Sequence, residues 1–315
     1  MNKATEHLPA ALTGSPSVSR SSALPFEGVE KSLRAFEVVA EFPKLTFLEN
    51  LVLTDDGSVV FTSHEEGRVY ILRQGSEATV LATISGKTTG IASLDGDGYI
   101  VSAFAADRSA AVFVIDNQGR TSGEFKLPDA TFLNGIAPAG NGNYLIADSY
   151  RGVIWMFNIA AGEARVWLDD PALKRLSEMN PAPAANGVKI FGPHVYVTNT
   201  QAKTLLRFAL KNGVPVGAVE LVKSNVPLDD FAFDSRGTVY AATHTFNSLV
   251  RIDPDGRMAI IANLSSGMAG STAVALDESR GLLYVTTNGG MLRPPEGGLQ
   301  TGKLIRIYLH RSATH

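Results

Sequence analysis

Glu49-Asn-Leu-Val-Leu, Thr89-Gly-Ile-Ala-Ser, Asn134-Gly-Ile-Ala-Pro, Asn186-Gly-Val-Lys-Ile, Asp229-Asp-Phe-Ala-Phe and Thr272-Ala-Val-Ala-Leu are versions of one another. Their leading residues stand 40, 45, 52, 43 and 43 positions apart. Each opens on a polar side chain and turns apolar. A second strand-like stretch follows in every copy: Val59-Val-Phe-Thr-Ser, Tyr99-Ile-Val-Ser-Ala, Tyr144-Leu-Ile-Ala-Asp, Val195-Tyr-Val-Thr-Asn, Val239-Tyr-Ala-Ala-Thr and Leu283-Tyr-Val-Thr-Thr. Third and fourth stretches complete each copy, as in Ala111-Val-Phe-Val-Ile and Gly123-Glu-Phe-Lys-Leu. A period of roughly 40–50 residues with four strands per unit is the signature of a propeller blade.

The last copy stops at its third strand, Lys303-Leu-Ile-Arg-Ile-Tyr. The alternating stretch Phe36-Glu-Val-Val-Ala-Glu-Phe stands alone near the N-terminus and can supply the missing fourth. That closes the ring and removes an open edge. The expectation is an all-β, six-bladed β-propeller of four antiparallel strands per blade, its N-terminal strand closing the last blade. Residues 1–34, rich in Ser, Pro and Ala, read as a tail, partly disordered or lying along the surface. Residues 35–310 read as the single propeller, and 311–315 as a C-terminal tail.

Composition narrows the function classes. Of 315 residues, 44% are hydrophobic and 19% charged, enough for a large core, and the net charge is −3 with no basic cluster. A nucleic-acid backbone therefore has no electrostatic footprint here. The absence of cysteine excludes disulfides, thiolate metal sites and a Cys nucleophile. No run of ~18 apolar residues exists to span a membrane. No secretory signal is evident, which points to a cytoplasmic protein, a monomer or weak homodimer acting on a small molecule.

Strand order places the chemistry. The innermost strand of each blade starts on one face of the disc, so the six leading residues ring one mouth of the channel. The ends of the second strands, among them His64, Asp148, Asn199, His244 and Asn288, lie on that face one layer out. Two long connections, 169–185 and 288–301, reach the same face. Glu49, Asn134, Asn186 and Asp229 bring two carboxylates and two amides toward one point, beside Thr89 and Thr272. Hard divalent cations want such an oxygen-rich set. Without a cation the facing carboxylates repel and at least one pKa rises. The plain alternative is that these polar leaders only cap loop turns. His64 and His244 are each placed to act as acid or base, and His244, following the Asp229 repeat, is the better candidate. The plain alternative for both is a surface or supporting histidine. Gly297-Gly-Leu-Gln-Thr-Gly-Lys-Leu lacks the Ser/Thr and the helix of a phosphate loop. Asp95-Gly-Asp-Gly reads as a turn.

At these residues the chain resembles the SMP-30/gluconolactonase/luciferin-regenerating propellers, which are related to strictosidine synthase, over roughly residues 36–309. The resemblance implies metal ligands at Glu49, Asn186 and Asp229, with Asp229 also the base, and a substrate contact at Asn134. Asp230 is the neighbouring alternative to Asp229, which is favoured because it leads its repeat. The implied cofactor is a divalent cation, Ca²⁺ first, with Mg²⁺, Mn²⁺ or Zn²⁺ as alternatives. The implied activity is metal-dependent opening of a lactone or ester. One departure matters: where the family's sugar lactonases carry an Arg two positions before the substrate Asn, this chain has Phe132, which favours a more apolar substrate. Thr89, Thr272 and His64 complete the expected substrate surface. Cyclase-type chemistry without hydrolysis and plain ligand binding are the alternative functions.

Overall fold

A computed structural model describes residues 25–94 and 98–312. The expected tail segment 1–24, the Asp95-Gly-Asp turn and residues 313–315 lie outside the described residues. Among the described residues the regular secondary structure is all strand apart from two single 3-10 turns, Pro171–Leu173 and Leu264–Ser266. No helix among the described residues is long and apolar enough to cross a membrane.

The chain begins with β1 (Glu30–Lys31) and β2 (Arg34–Lys44). Blade 1 is β3 (Leu48–Leu53), β4 (Val59–Ser63), β5 (Arg68–Leu72) and β6 (Thr79–Thr83). Blade 2 is β7 (Gly86–Ser93), β8 (Tyr99–Ala105), β9 (Ala110–Ile115) and β10 (Thr121–Lys126). Blade 3 is β11 (Leu133–Gly140), β12 (Asn143–Asp148), β13 (Val153–Asn158) and β14 (Glu163–Asp169). Blade 4 is β15 (Ala185–Phe191), β16 (His194–Asn199), β17 (Thr204–Lys211) and β18 (Val214–Ser224). Blade 5 is β19 (Phe231–Phe233), β20 (Val239–Ala242), β21 (Leu249–Ile252) and β22 (Met258–Ala262). Blade 6 runs β23 (Ser271–Asp277), β24 (Leu282–Thr287), β25 (Thr301–Ser312) and finally β2. The N-terminal strand therefore closes the ring, in an antiparallel register from Arg34 opposite Ser312 to Lys44 opposite Thr301.

Six apolar clusters hold the disc together, and each is shared by two neighbouring blades. Val60 and Val69 of blade 1 meet Val101 and Phe113 of blade 2, for example. Period-2 alternation gives every strand two faces, so each blade buries one face against each neighbour. The end of the N-terminal tail is docked as well. β1 adds a parallel strand outside β22, and Phe26, Val29 and Leu33 pack on the cluster between blades 4 and 5.

The innermost strands share one irregularity. The ladder slips between Leu48 and Leu51, Thr88 and Ile91, Leu133 and Ile136, Ala185 and Val188, and Ser271 and Val274. Each slip falls on a repeat-leading residue and its successor. In blade 5, β19 starts only at Phe231, just after Asp229 and Asp230. Such bulges take residues out of the alternation and re-aim them. The backbone N–H orphaned by the bulge is recovered by a hydroxyl from the second strand. Thr62 Oγ1 accepts from Asn50 N at 3.0 Å, Ser102 Oγ from Gly90 N at 2.8 Å and Thr198 Oγ1 from Gly187 N at 2.8 Å. The same hydroxyls donate to the leading residue of the next blade: Thr62 to Thr89 O at 2.9 Å, Ser102 to Asn134 O at 2.7 Å and Thr198 to Asp229 O at 2.8 Å. Blades approach closely there. A Cβ on Gly187 would sit 2.7 Å from Asp230 Oδ1 and 2.9 Å from Asp229 O, so the residue after Asn186 must be glycine.

Candidate functional site

The bulges and the inter-blade hydroxyls deliver Glu49, Asn134, Asn186 and Asp229 to one end of the channel, all of them buried. Asn186 is oriented by logic that its neighbours fix. Thr200 Oγ1 spends its proton on Leu228 O at 2.6 Å, so it accepts from Asn186 Nδ2 at 3.0 Å. The same Nδ2 donates to Asp229 Oδ1 at 2.6 Å. Asn134 is held alike: Ser149 Oγ donates to Ala185 O at 2.7 Å and accepts from Asn134 Nδ2 at 3.2 Å. Both amides are anchored through nitrogen, and each Oδ1 is the end not used in anchoring.

Asp229 Oδ2 lies 2.7 Å from His244 Nδ1. His244 Nε2 lies 2.8 Å from Asn288 Nδ2. The histidine backbone sits at φ +45°, a left-handed conformation that costs a non-glycine residue energy and recurs at functional sites. Its N–H is fixed by Ser271 O at 2.8 Å.

Glu49 is the group left unresolved by protein. Its Oε2 is buried and has no hydrogen-bond partner. Burial first, then the charges of Asp229 and Asp230, push its carboxyl well above the ordinary range. Three carboxylates thus crowd one place, and one of them has an orphaned oxygen. Among the described residues no cluster of three or more His, Asp or Glu side chains is arranged to hold a metal ion by itself. An oxygen set built of Glu49, Asp229 and the amide of Asn186 is nevertheless the composition that Ca²⁺ accepts. The donor chemistry and the orphaned oxygen fit a divalent cation.

The two adjacent aspartates have separate partners. Asp229 faces Asn186 and His244. Asp230 Oδ1 pairs with Lys189 Nζ at 2.6 Å and accepts from Phe231 N at 2.8 Å, while Oδ2 accepts from Asn50 Nδ2 at 3.1 Å. Lys189 and Asp230 face the other half of the channel. There a cavity of about 530 Å³ opens, lined by Asn50, Lys189, Asp230, Leu53, Phe233 and Leu276 among others. None of Glu49, Asn134, Asn186, Asp229 or His244 lines it, so of the three crowded carboxylates only Asp230 borders that volume.

The remaining expected residues divide. Phe132 packs between Phe104, at 5.2 Å, and Tyr150, at 5.0 Å, in an aromatic wall. Asp148, not singled out for this by sequence, presents it: Oδ1 accepts from Phe132 N at 3.0 Å and Oδ2 from Trp155 Nε1 at 3.2 Å. His64 Nδ1 is taken by Thr88 O at 2.7 Å, and burial lowers the pKa of the ring. Phe47 touches both His64 and His244, with ring centroids 5.4 and 5.8 Å away. Thr89 and Thr272, expected on the substrate surface, use their hydroxyls between blades. Thr89 Oγ1 donates to Leu133 O at 2.8 Å, and Thr272 Oγ1 to Leu48 O at 2.8 Å. Both hydroxyls thus tie neighbouring blades together. Asn288 was legible only as the end of a second strand; its contact with His244 has no local sequence signal.

No family model matches the chain, and no curated protein matches it. Solved structures do. A calcium-binding protein, regucalcin, from Agrobacterium tumefaciens superposes with a TM-score of 0.66 at 19% identity, over 90% of this chain and 98% of that one. A gluconolactonase from Xanthomonas campestris superposes at 0.66 with 15% identity, over 88% and 89%. A virginiamycin B lyase from Staphylococcus aureus, in a catalytically inactive histidine-to-alanine form, superposes at 0.57 with 11% identity, over 83% and 80%. The chain shares the propeller fold of these proteins.

Proposed function

We propose that this propeller is a metal-dependent hydrolase that opens a lactone or ester of a fairly apolar small molecule at the channel mouth. The observation that carries the reading is Glu49 Oε2, buried without a partner beside Asp229. Glu49, Asp229 and Asn186 Oδ1 would hold the cation, Ca²⁺ in the first instance. Bound there, it would polarise the substrate carbonyl and stabilise the oxyanion. The fold shared with a gluconolactonase and a calcium-binding protein supports the same reading.

The chain's own groups do the rest. Asn134, anchored through Nδ2, turns its amide oxygen to a substrate donor. Phe132, Phe104 and Tyr150 offer an apolar wall in place of a sugar-binding cation. Asp229 is the carboxylate placed to take a proton from attacking water. His244 Nδ1–H, 2.7 Å from Oδ2, holds that carboxylate in orientation. A second reading, a lyase or cyclase reaction without hydrolysis, is favoured by this His–Asp pair and by the histidine-dependent lyase among the fold relatives.

Elemental analysis of purified protein and a panel of lactones and esters test the proposal. Asp229→Asn should lower kcat by about 10²-fold, the scale of lost acid–base help, with part of the metal retained. Full activity in metal-loaded Asp229→Asn would remove Asp229 as the base. A protein that takes up no divalent cation at millimolar Ca²⁺ would sink the metal-dependent reading.

A further inference from the structure

The loop from Asn288 to Gln300 crosses the ring face, and its first residue is fully buried. Asn288 Oδ1 accepts from two backbone donors of that loop, Gly290 N at 2.9 Å and Met291 N at 3.1 Å. These two donors fix the orientation of the amide, because its nitrogen in their place would face N–H groups only. Nδ2 then points at His244 Nε2, 2.8 Å away, as a donor. A ring nitrogen facing a donor must present its lone pair, so the ring hydrogen sits on Nδ1. Nδ1–H is aimed at Asp229 Oδ2 at 2.7 Å. The donations run in one sense, from the loop backbone through Asn288 and His244 to Asp229, whose other carboxylate oxygen accepts from the Nδ2–H of Asn186. The site has been built tightly around this amide: a Cβ on Gly270 would overlap Asn288 Oδ1. A second contact couples the loop to the same place, Arg293 lying 5.5 Å over the ring of Phe246, two residues beyond His244.

We propose that Asn288 is a positioning residue, which sets the tautomer of His244 and through it the orientation of Asp229, and so makes the 288–300 loop part of the site. The proposal deepens the hydrolase reading, in which Asp229 is the working carboxylate, but the tautomer is a property of the protein alone. His244 in this arrangement has no free nitrogen for substrate; its contribution is to hold Asp229.

Asn288→Asp separates the two jobs of the residue. A carboxylate still accepts from Gly290 N and Met291 N, so the loop stays anchored, while an acceptor replaces the donor facing His244 Nε2. Nitrogen NMR of the full-length protein labelled at histidine reads the ring directly. In the parent, His244 should show a hydrogen on Nδ1 and a lone pair on Nε2. In Asn288→Asp, with an unfolding midpoint close to the parent's, Nε2 should gain a hydrogen. On any lactone or ester that the parent turns over, kcat should fall at least about tenfold with KM little changed, because Asn288 touches no substrate. A hydrogen on Nε2 in the parent would overturn the proposal, as would an unchanged ring signature in Asn288→Asp. The expected ring signatures in a protein that turns over no lactone or ester would support the role of Asn288 and count against the hydrolase alone.

Discussion

Lys189 Nζ lies 2.6 Å from Asp230 Oδ1 inside the channel, one residue along from the carboxylate that faces His244. The pair neutralises one of three crowded acids with a cation the chain carries itself. Removing the lysine leaves Asp230 buried with only Asn50 and a backbone N–H. Lys189→Met should destabilise the fold by about 2 kcal/mol, the scale of a charge-assisted hydrogen bond; the ~3–5 kcal/mol of a fully buried pair is excessive for a partly exposed lysine. Adding Asp230→Asn should recover most of the loss. Equal denaturation midpoints for parent and Lys189→Met would show that the pair contributes nothing.

Glu49 makes the cation testable through stability and pH. Its carboxyl is raised in the folded protein above its unfolded value, by burial and by Asp229 and Asp230. The protonated form is therefore favoured by folding. In chelator, that stability is fully present below the unfolded pKa and is lost as pH rises through the folded value. Glu49→Gln cannot ionise, so at pH 8 in chelator it should unfold at a higher temperature than the parent. Calcium should reverse the order, stabilising the parent by about 2.7 kcal/mol at a hundred times Kd and Glu49→Gln far less. Thermal melts at pH 5 and 8, with chelator and with millimolar Ca²⁺, check both signs.

The closing strand and the docked tail should separate in truncations. Relative to a chain beginning at Pro25, one beginning at Arg34 loses Phe26, Val29, Leu33 and β1 but keeps the closing strand. These apolar groups are partly buried, and each fully buried one would be worth roughly 1.5–3 kcal/mol. The midpoint should fall by several degrees. A chain beginning at Leu45 lacks β2 and should not fold to soluble protein. Similar solubility and melting of all three would contradict closure through β2.

Phe132 should govern the kind of substrate. Packed between Phe104 and Tyr150, it gives that side of the mouth an aromatic surface. Phe132→Arg should raise kcat/KM on sugar lactones relative to apolar ones, by at least tenfold in the ratio if one charge-assisted contact of about 1.5–3 kcal/mol is gained. A panel in which the ratio stays constant would place substrate selection elsewhere.

Much of this arrangement can be read before folding, and the rest cannot for identifiable reasons. The repeat spacing and the missing last strand specify six blades and their closure, because a blade cannot bury its faces alone. Glu49, Asn186 and Asp229 lead their repeats, so their meeting at one end of the channel follows from topology. The adjacent Asp230 looked like a rival to Asp229 because its partner, Lys189, lies 41 positions away in another blade. Thr89 and Thr272 share the register of the leading asparagines; the neighbouring-blade carbonyl that each hydroxyl meets is not legible in the sequence. Thr62, Ser102 and Thr198 occupy one position of the second strand, a repeat visible in the sequence whose purpose needed the slipped ladder. Asn288 gave no hint of His244, since a loop with glycines at positive φ brings them together.

The closing pair of strands also fixes how the disc responds to force. β2 and β25 run antiparallel, with Arg34 opposite Ser312 and Lys44 opposite Thr301, so both ends of the propeller leave from the same end of one strand pair. Tension applied between the termini therefore loads the hydrogen bonds of this pair one after another and peels it open. A shearing geometry would load them together. Once the docked tail with β1 has come away from blade 5, the ring should part at its own seam, at low force, while the four-stranded ladders of the other five blades hold. In a single-molecule pulling record the first step should have the length of β2 and its docked tail, and it should heal when the tension is released.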